Sequence, residues 1–163
     1  YSIGDCAEFD EVPAADRKPV EQVWYTGRMH GETLGYILAG KKVTYKPGAW
    51  FNSAKFLDIE YQTYGWVHGK SGRPEYEVHY HWKHQDNTKC LTLAYHKETR
   101  EFLGINTFGI RMRHDVFNSW LTEKQKVDYV IDHLNEANFD PEFYKKHESE
   151  IRLAFSNQLL TIS

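Results

Sequence analysis

Residues 75–83 read EYEVHYHWK, and aromatic or apolar side chains alternate there with charged or polar ones. A period of two is typical of a β-strand with one buried face. The pattern returns in residues 57–63 (LDIEYQT), in residues 91–95 and in residues 101–108 (EFLGINTF), and the turn-forming segments HGKSGRP, QDNT and KETR separate the runs. We therefore expect an antiparallel meander of about four strands over residues 55–109. The side chains expected to be buried are Leu57, Ile59, Tyr76, Val78, Tyr80, Trp82, Leu91 and Leu93.

Helical spacing precedes the strands. Residues 17–40 read RKPVEQVWYTGRMHGETLGYILAG, with apolar and small residues at steps of three and four. This spacing predicts a helix from Pro19 that stops at Gly40. Gly27, Gly31 and Gly35 share one face of it, and each glycine inside a helix costs about 0.8–1.0 kcal/mol relative to alanine. We therefore expect this face to pack closely against another surface.

Helical patterns also follow the strands. Thr122 and Gln125 have the spacing of a capping box, and Asp140-Pro141 has the sequence of a helix start. The apolar stripe expected after the capping box consists of Val127, Val130, Ile131 and Leu134. The face expected after Pro141 consists of Phe143, His147, Ile151 and Phe155. The fold class predicted is α+β, with an antiparallel β-meander of about four strands packed with helices.

The composition excludes several classes of function. The chain has 163 residues, a net charge of −3 and a pI of about 6.3. It therefore lacks the basic field that favours nucleic acid or an anionic membrane. No run approaches the roughly 20 apolar residues of a membrane span, and the first residues lack the pattern of a signal peptide. Cys6 and Cys90 lie far apart and form no CxxC motif. We therefore expect a cytoplasmic protein without a disulfide framework.

Two short segments have the residue types of a ligand site. In YSIGDCAEF, residues 1–9, Gly4 allows the backbone to approach a ligand, and the Asp5 carboxylate can accept hydrogen bonds from sugar-like hydroxyls. An ordinary turn accounts for the same pair. The start of the helix that follows has a partial positive charge and free amides, which suit an electron-rich ligand edge.

Together the two segments resemble the second flavin-binding segment of FAD-dependent pyridine nucleotide-disulfide oxidoreductases, in the branch of ferredoxin reductases and apoptosis-inducing factor. The resemblance implies that residues 1–40 are the last strand and helix of an FAD-binding domain. It implies that Gly4 and Asp5 meet the ribitol chain of FAD, with Asp5 holding it. It also implies that Glu21, Gln22 and Val23 lie at the pyrimidine edge of the flavin.

The segment YKPGAWFNSAKF, residues 45–56, is similar to the Pro-x-aromatic-aromatic segment of that family. By this resemblance Trp50 and Phe51 shape or cover the isoalloxazine site. The family usually continues with Ser-Asp, whereas this chain has Asn52-Ser53. The role of that family carboxylate is therefore not transferred to this chain.

The resemblance implies a flavoprotein that transfers hydride from NAD(P)H to FAD and passes electrons to an unidentified acceptor. Residues 41–163 would form a C-terminal, interface-like domain. No GxGxxG motif occurs, so we expect the chain to be the C-terminal part of a protein whose N-terminal region binds FAD and NAD(P). The isolated part is expected to be inactive and not to hold FAD. Two alternatives stay open: a module for homodimerisation or partner docking, and a free-standing α+β ligand-binding domain.

Two weaker clusters have competing interpretations. His79 and His81 share a strand face with Glu77, and their spacing suits a metal ion as well as an ordinary solvated face. The IRMRHD segment, residues 110–115, suits a phosphate or an acidic partner as well as an exposed basic turn. No residue is identified as a catalytic acid, base or nucleophile.

Overall fold

The computed structural model describes residues 1–14, 17–139 and 145–162. The chain forms two compact units, residues 1–52 and residues 53–163. The domain boundary expected after residue 40 stays a prediction. Among the described residues, no helix has the length and apolar character needed to cross a bilayer.

The first unit contains a 3₁₀ turn, Gly4–Cys6, and helix α1, Trp24–Leu38. Residues 1–3 before the turn are not part of a strand. The helix begins later than the predicted Pro19, because Val23 has extended backbone (φ −137°, ψ 136°) and its carbonyl accepts the first helical hydrogen bond, from the Gly27 amide at 3.1 Å. The predicted stop is confirmed, since Gly40 has a φ of +78° and ends the helical path.

The glycine face of α1 is only partly covered. A Cβ atom at Gly27 would lie 3.6 Å from the Gly4 Cα atom, and one at Gly31 would lie 3.9 Å from the Ile3 side chain. Both distances are ordinary van der Waals contacts. Gly35 is exposed, and a Cβ atom there would meet nothing within 4 Å. The prediction of close packing along the whole face is therefore wrong at Gly35.

A sheet of five strands organises the second unit. The strands are β1 (Phe51–Phe56), β2 (Ile59–Gly65), β3 (Glu77–Lys83), β4 (Cys90–His96) and β5 (Phe102–Phe108). Their order is β1-β2-β5-β4-β3, and the β2–β5, β5–β4 and β4–β3 pairs are antiparallel. The α+β class and the antiparallel sheet are confirmed, but only β3–β5 form a meander. Residues 66–76 are too long for a hairpin turn and lead from β2 to the opposite edge of the sheet.

The predicted strand faces hold in the middle of the sheet and fail at its margins. Tyr80, Trp82, Leu91 and Leu93 are all at most 5% exposed, and Val78 is half-buried. The predicted burial of three other side chains is wrong. Leu57 lies in the turn between β1 and β2 with a φ of +52°, and Tyr76 precedes β3. The exposed residues are Leu57, Ile59 and Tyr76.

Helices complete the second unit: α2 (His114–Thr122), α3 (Val127–Asp132), a 3₁₀ segment (Leu134–Ala137) and α4 (Glu148–Ile162). The stripe predicted for α3 and the segment after it is buried as expected. Thr122 does not begin α3, and the predicted capping box is wrong. The Thr122 hydroxyl instead donates to the Asn118 carbonyl at 2.7 Å, at the end of α2. The buried stripe consists of Val127, Val130, Ile131 and Leu134.

Helix α4 packs on β3. The Tyr80 hydroxyl donates to the Ile151 carbonyl at 3.1 Å, and the Tyr80 and Phe155 rings meet edge to face with centroids 5.0 Å apart. His147, Ile151 and Phe155, which the sequence assigned to one face, are buried. The predicted helix start at Asp140-Pro141, with Phe143, lies outside the described residues.

Gly65 of β2 and Gly104 of β5 are partners in the ladder, and the backbones of the two strands approach closely there. A Cβ atom at Gly104 would lie 2.6 Å from the backbone nitrogen and oxygen of Trp66. Backbone atoms cannot move away as the end of a flexible side chain can. This pair of strands therefore requires glycine at residue 104.

We predict that Gly104→Ala lowers the free energy of unfolding by about 1–3 kcal/mol, the usual cost of overpacking. Gly69→Ala is the matched control, because a Cβ atom there would meet nothing within 4 Å. Urea denaturation followed by circular dichroism measures both. Equal stability of the two variants would contradict the close approach.

Candidate functional site

The Gly4–Cys6 turn has a conformation that favours glycine at its first residue. Gly4 has a φ of +73°, in the left-handed region that side chains rarely adopt. Its amide donates a hydrogen bond to Nδ1 of His30 in α1, at 3.1 Å. The Asp5 residue that follows is exposed. The turn is therefore held on α1 while its carboxylate residue stays accessible.

Beneath this turn the first unit contains a buried charged group, the carboxylate of Glu21. Arg17 Nε lies 3.0 Å from one carboxylate oxygen, and both side chains are at most 2% exposed. The Tyr45 hydroxyl donates to the other oxygen at 2.9 Å, and His30 Nε2 lies 3.6 Å from that oxygen. A buried carboxylate is stable only when it is paired and hydrogen-bonded. We call Arg17, Glu21, His30 and Tyr45 the Glu21 network.

The contacts in the network indicate which atoms donate and which accept hydrogen bonds. Burial, and then the hydrogen bond to Glu21, raise the pKa of Tyr45 well above its usual range, so this hydroxyl remains a donor. Because Nδ1 of His30 accepts from Gly4, a neutral His30 ring has its proton on Nε2, which faces Glu21. His30 therefore holds the Gly4–Cys6 turn through Nδ1, while its Nε2 faces Glu21 at a distance beyond hydrogen-bond range.

The three residues predicted to lie at the pyrimidine edge of the flavin differ in their exposure. Glu21 is buried within the network, so its side chain is not accessible to a ligand. Gln22 is exposed, and Val23 is half-buried at the position just before α1. All three precede the helix rather than lie in its first turn. Their role toward a flavin stays a prediction, and it rests on the backbone and on Gln22 and Val23.

The two predicted aromatic residues belong to the same unit. The Arg17 guanidinium lies over the Trp50 ring, 5.1 Å from its centroid. The Phe51 and Tyr25 rings lie 4.9 Å apart, and Tyr25 is in the first turn of α1. Trp50 and Phe51 are both half-buried. The structure thus places both aromatic residues close to the segment that leads into α1.

A groove of about 220 Å³ lies beside the Gly4–Cys6 turn and α1. Most of its lining is apolar, with His30 supplying a polar edge. Sequence reasoning missed Arg17, His30 and Tyr45 as parts of this region. Thr26 and His30 are four residues apart, so they lie on one helix face, and both are buried. This spacing was the signal in the sequence that could have placed His30 here. The apolar lining includes Ile3, Phe9, Leu34, Ile37 and Tyr45.

In the second unit, the histidines of β3 do not form the metal site considered from the sequence. The buried Glu77 carboxylate lies 2.5 Å from His79 Nε2 and 2.5 Å from His68 Nδ1. His81 is exposed and its ring forms a hydrogen bond with Thr92 at 2.8 Å. The two histidines of the strand therefore have separate partners. His79 and Glu77 are also not a solvated face.

The basic residues of the IRMRHD segment are paired with carboxylates. Arg111 lies 2.5 Å from a Glu60 oxygen, and Arg113 lies 2.7 Å from an Asp115 oxygen. The His114 ring stacks on Tyr64 with centroids 5.8 Å apart. These contacts favour the interpretation of the segment as an ordinary basic turn.

We predict that Glu77 contributes to the loss of stability that the fold shows as the pH is lowered. Burial raises the pKa of Glu77, but the hydrogen bonds from His79 and His68 together outweigh burial, so the net pKa is lowered. A lowered pKa stabilises the fold above the carboxyl's usual pKa, and this contribution is lost as the pH falls through the lowered value. Urea denaturation between about pH 7 and pH 3 should show a smaller loss of stability for Glu77→Gln than for the parent. The exposed Glu98→Gln is the control, and a parental acid profile in Glu77→Gln would refute the prediction.

Comparison with known proteins identifies the fold. Neither a protein-family model nor a curated protein sequence matches the chain. Solved structures do match, and three of them are similar to 96–98% of the chain. A FAD-dependent pyridine nucleotide-disulphide oxidoreductase from Desulfovibrio vulgaris matches with a TM-score of 0.64 and 18% identity. Reduced CoADR-RHD of Bacillus anthracis matches with a TM-score of 0.63 and 21% identity, and a NAD-dependent persulfide reductase from A. fulgidus with 0.64 and 18%.

The fold is therefore that of the C-terminal part of FAD-dependent pyridine nucleotide-disulfide oxidoreductases. The resemblance inferred from the sequence is confirmed at the level of fold. The chain spans 38%, 30% and 32% of the lengths of these three proteins. The likeness therefore shows the fold of this chain and not the activity of a whole oxidoreductase.

Proposed function

We propose that this chain is the C-terminal part of a flavoprotein that oxidises NAD(P)H and passes electrons to a separate acceptor. In this proposal residues 1–40 belong to the FAD-binding domain and residues 41–163 form the C-terminal domain. An N-terminal region binds the rest of FAD and the pyridine nucleotide. The observation that carries the proposal is the fold shared with FAD-dependent oxidoreductases over nearly the whole chain. The protein would act in the cytoplasm.

The Gly4–Cys6 turn supports a role in holding FAD. A polyol such as ribitol is recognised by a charged acceptor that stays accessible and fixed in position. Asp5 is exposed, and the amide of the residue before it is tied to His30. A hydrogen bond from a hydroxyl to a carboxylate contributes about 1.5–3 kcal/mol. Because Gly4 has no side chain, the backbone beside that carboxylate can approach a ligand closely.

The segment before α1 supports a role at the flavin ring. The amides at the start of α1 give this end a partial positive charge of about half a unit. Such a charge stabilises the negative charge that a reduced flavin holds at its pyrimidine edge. Gln22 and Val23 lie at this end, and Trp50 and Phe51 are in the same unit. When bound, FAD supplies the hydride and electron chemistry, and these residues bind and orient it.

The test of this proposal is the flavin content of the natural full-length protein that contains these residues. We expect the parent to purify with FAD and to be reduced by NADH or NADPH. Asp5→Asn should weaken FAD binding about 10- to 100-fold, because a charged hydrogen bond becomes a neutral one. Asp10→Asn, at another exposed aspartate of the same unit, is the control.

Flavin absorbance after dialysis, with circular dichroism to confirm folding, distinguishes the results. A parent that contains no flavin would refute the proposed function. A folded Asp5→Asn protein that retains FAD as tightly as the parent would refute the role of Asp5. The 163 residues alone are expected to bind FAD at about millimolar concentration or more weakly, since the pyrophosphate site is not among them.

A second candidate function, homodimerisation, has a specific observation in its favour. The tip of the β1–β2 hairpin exposes three apolar side chains: Phe56 is 66% exposed, Leu57 is 94% exposed and Ile59 is 53% exposed. Apolar residues adjoining on a surface often mark an interface. We propose that this tip contacts a second copy of the chain.

Analytical ultracentrifugation of the full-length protein tests this candidate. Leu57→Asp should weaken self-association at least 10-fold, while Leu153→Asp, at a side chain 64% exposed on α4, should leave it unchanged. A monomeric parent, or an equal effect of both substitutions, would contradict the role of the hairpin tip.

A further inference from the structure

Three potential metal ligands from two parts of the second unit converge near the end of β3. His84 follows the last residue of β3, His147 precedes the first residue of α4, and Glu150 lies in the first turn of α4. One ligand atom from each side chain lies within 4.8 Å of the other two. Within residues 1–14, 17–139 and 145–162 this is the only such group of three.

The His147 ring lacks the partners that a buried imidazole normally has. Its side chain is 4% exposed, and its Nε2 atom is buried without a hydrogen-bond partner among the described residues. Its Nδ1 atom lies 3.8 Å from a Glu150 carboxylate oxygen, which is beyond hydrogen-bond range. Buried polar atoms nearly always have a partner, and one without a partner requires an explanation. A cation bound to the ring would supply it.

Asp86 orients the second histidine of the group. A carboxylate oxygen of Asp86 lies 2.8 Å from Nδ1 of His84, and the Asp86 amide makes a longer contact of 3.4 Å with the same nitrogen. The shorter contact favours a proton on Nδ1. A carboxylate on one imidazole nitrogen keeps the proton there and leaves the other nitrogen free as a ligand. This is the outer arrangement that commonly accompanies histidines bound to zinc. Asp86 itself is not a member of the group of three.

The charges that face the group are mixed. Glu150 and Asp86 are acidic, and Lys89 lies 3.7 Å from an Asp86 oxygen. A metal binds the neutral form of an imidazole, so binding at this group competes with protonation of the two rings. Lys145 also contributes positive charge near His147, and a bound cation has Glu150 as its neutralising ligand.

We propose that His84, His147 and Glu150 form a binding site for a divalent cation of the zinc class. Two imidazoles and one carboxylate suit Zn²⁺ or Co²⁺, whereas Mg²⁺ and Ca²⁺ require mainly oxygen ligands. Tetrahedral zinc with bonds of about 2.0–2.2 Å holds its ligand atoms about 3.3–3.6 Å apart. The three ligand atoms lie within 4.8 Å of one another, so they reach that spacing through modest side-chain movements. Three protein ligands leave a fourth position for water.

The proposed ion would join the end of β3 to the start of α4. These two elements already meet through Tyr80 and Ile151 further along the helix. A metal bound only by the folded state stabilises the fold, by an amount that grows with the logarithm of the metal concentration divided by its Kd. The proposal is independent of flavin binding, because all of its residues belong to residues 53–163.

Metal titration of the untagged full-length protein that contains these residues, stripped with a chelator, tests the site. We expect one Zn²⁺ per chain with a micromolar or lower Kd, a rise in the melting temperature on adding Zn²⁺, and visible absorption of tetrahedral Co²⁺. Mg²⁺ should produce none of these changes. Glu150→Gln and His147→Gln should each weaken Zn²⁺ binding at least about 10-fold and remove the Co²⁺ absorption.

His81→Ala is the matched control, because His81 is an exposed histidine on β3 whose ring pairs with Thr92. It should leave the Kd for Zn²⁺ unchanged. Glu150 has an exposed fraction of 42%, so Glu150→Gln keeps the test valid even if His147→Gln fails to fold. Absence of Zn²⁺ binding by the parent, or an unchanged Kd in Glu150→Gln, would overturn the proposal.

Discussion

The arrangement of the first unit depends on one buried carboxylate. Glu21 is nearly inaccessible to water, and its charge is compatible with burial only because Arg17 and Tyr45 contact it. Removing one partner of a buried ion pair typically costs about 3–5 kcal/mol. His30 faces the same carboxylate and accepts the hydrogen bond of the Gly4 amide. His30 therefore lies between Glu21 and the Gly4–Cys6 turn that contains Asp5.

This constraint changes how the Glu21 segment is interpreted. A glutamate just before a helix, in a segment similar to a flavin-binding one, suggests direct contact with a ligand. The structure instead buries the side chain and leaves Gln22 exposed. Glu21 therefore acts as a positioning residue within the protein. In the proposed flavoprotein, the contact with the flavin edge would come from the backbone and from the residues after Glu21.

The parts of the fold that the sequence predicts are those with a strong local period. The strand faces of Tyr80 and Leu93 and the stripe of Val130 follow directly from spacing, because alternate or helical neighbours share one environment. The strand order does not follow, since no local pattern states which strand lies next to β2. Leu57 was misplaced because its apolar side chain lies in a turn at positive φ, a position that periodicity cannot detect.

The candidate sites show the same limit more strongly. Gly4 and Asp5 were found through a motif of adjacent residues. The Glu21 network joins residues from 17 to 45, and the proposed metal site joins His84 to His147 and Glu150. Residues so far apart in sequence become neighbours only through tertiary packing. Their individual types were visible in the sequence, but their common location was not.

In the proposed flavoprotein, the Gly4–Cys6 turn presents Asp5 to the ribitol chain of FAD. A crystal structure of the full-length protein, purified with its flavin, measures this directly through the distance between the Asp5 carboxylate and the nearest ribitol hydroxyl. We expect a hydrogen bond of about 2.5–3.0 Å, with the Gly4 amide still donating to His30. A flavin bound with its ribitol away from Asp5, or a full-length protein that binds no flavin, would contradict it.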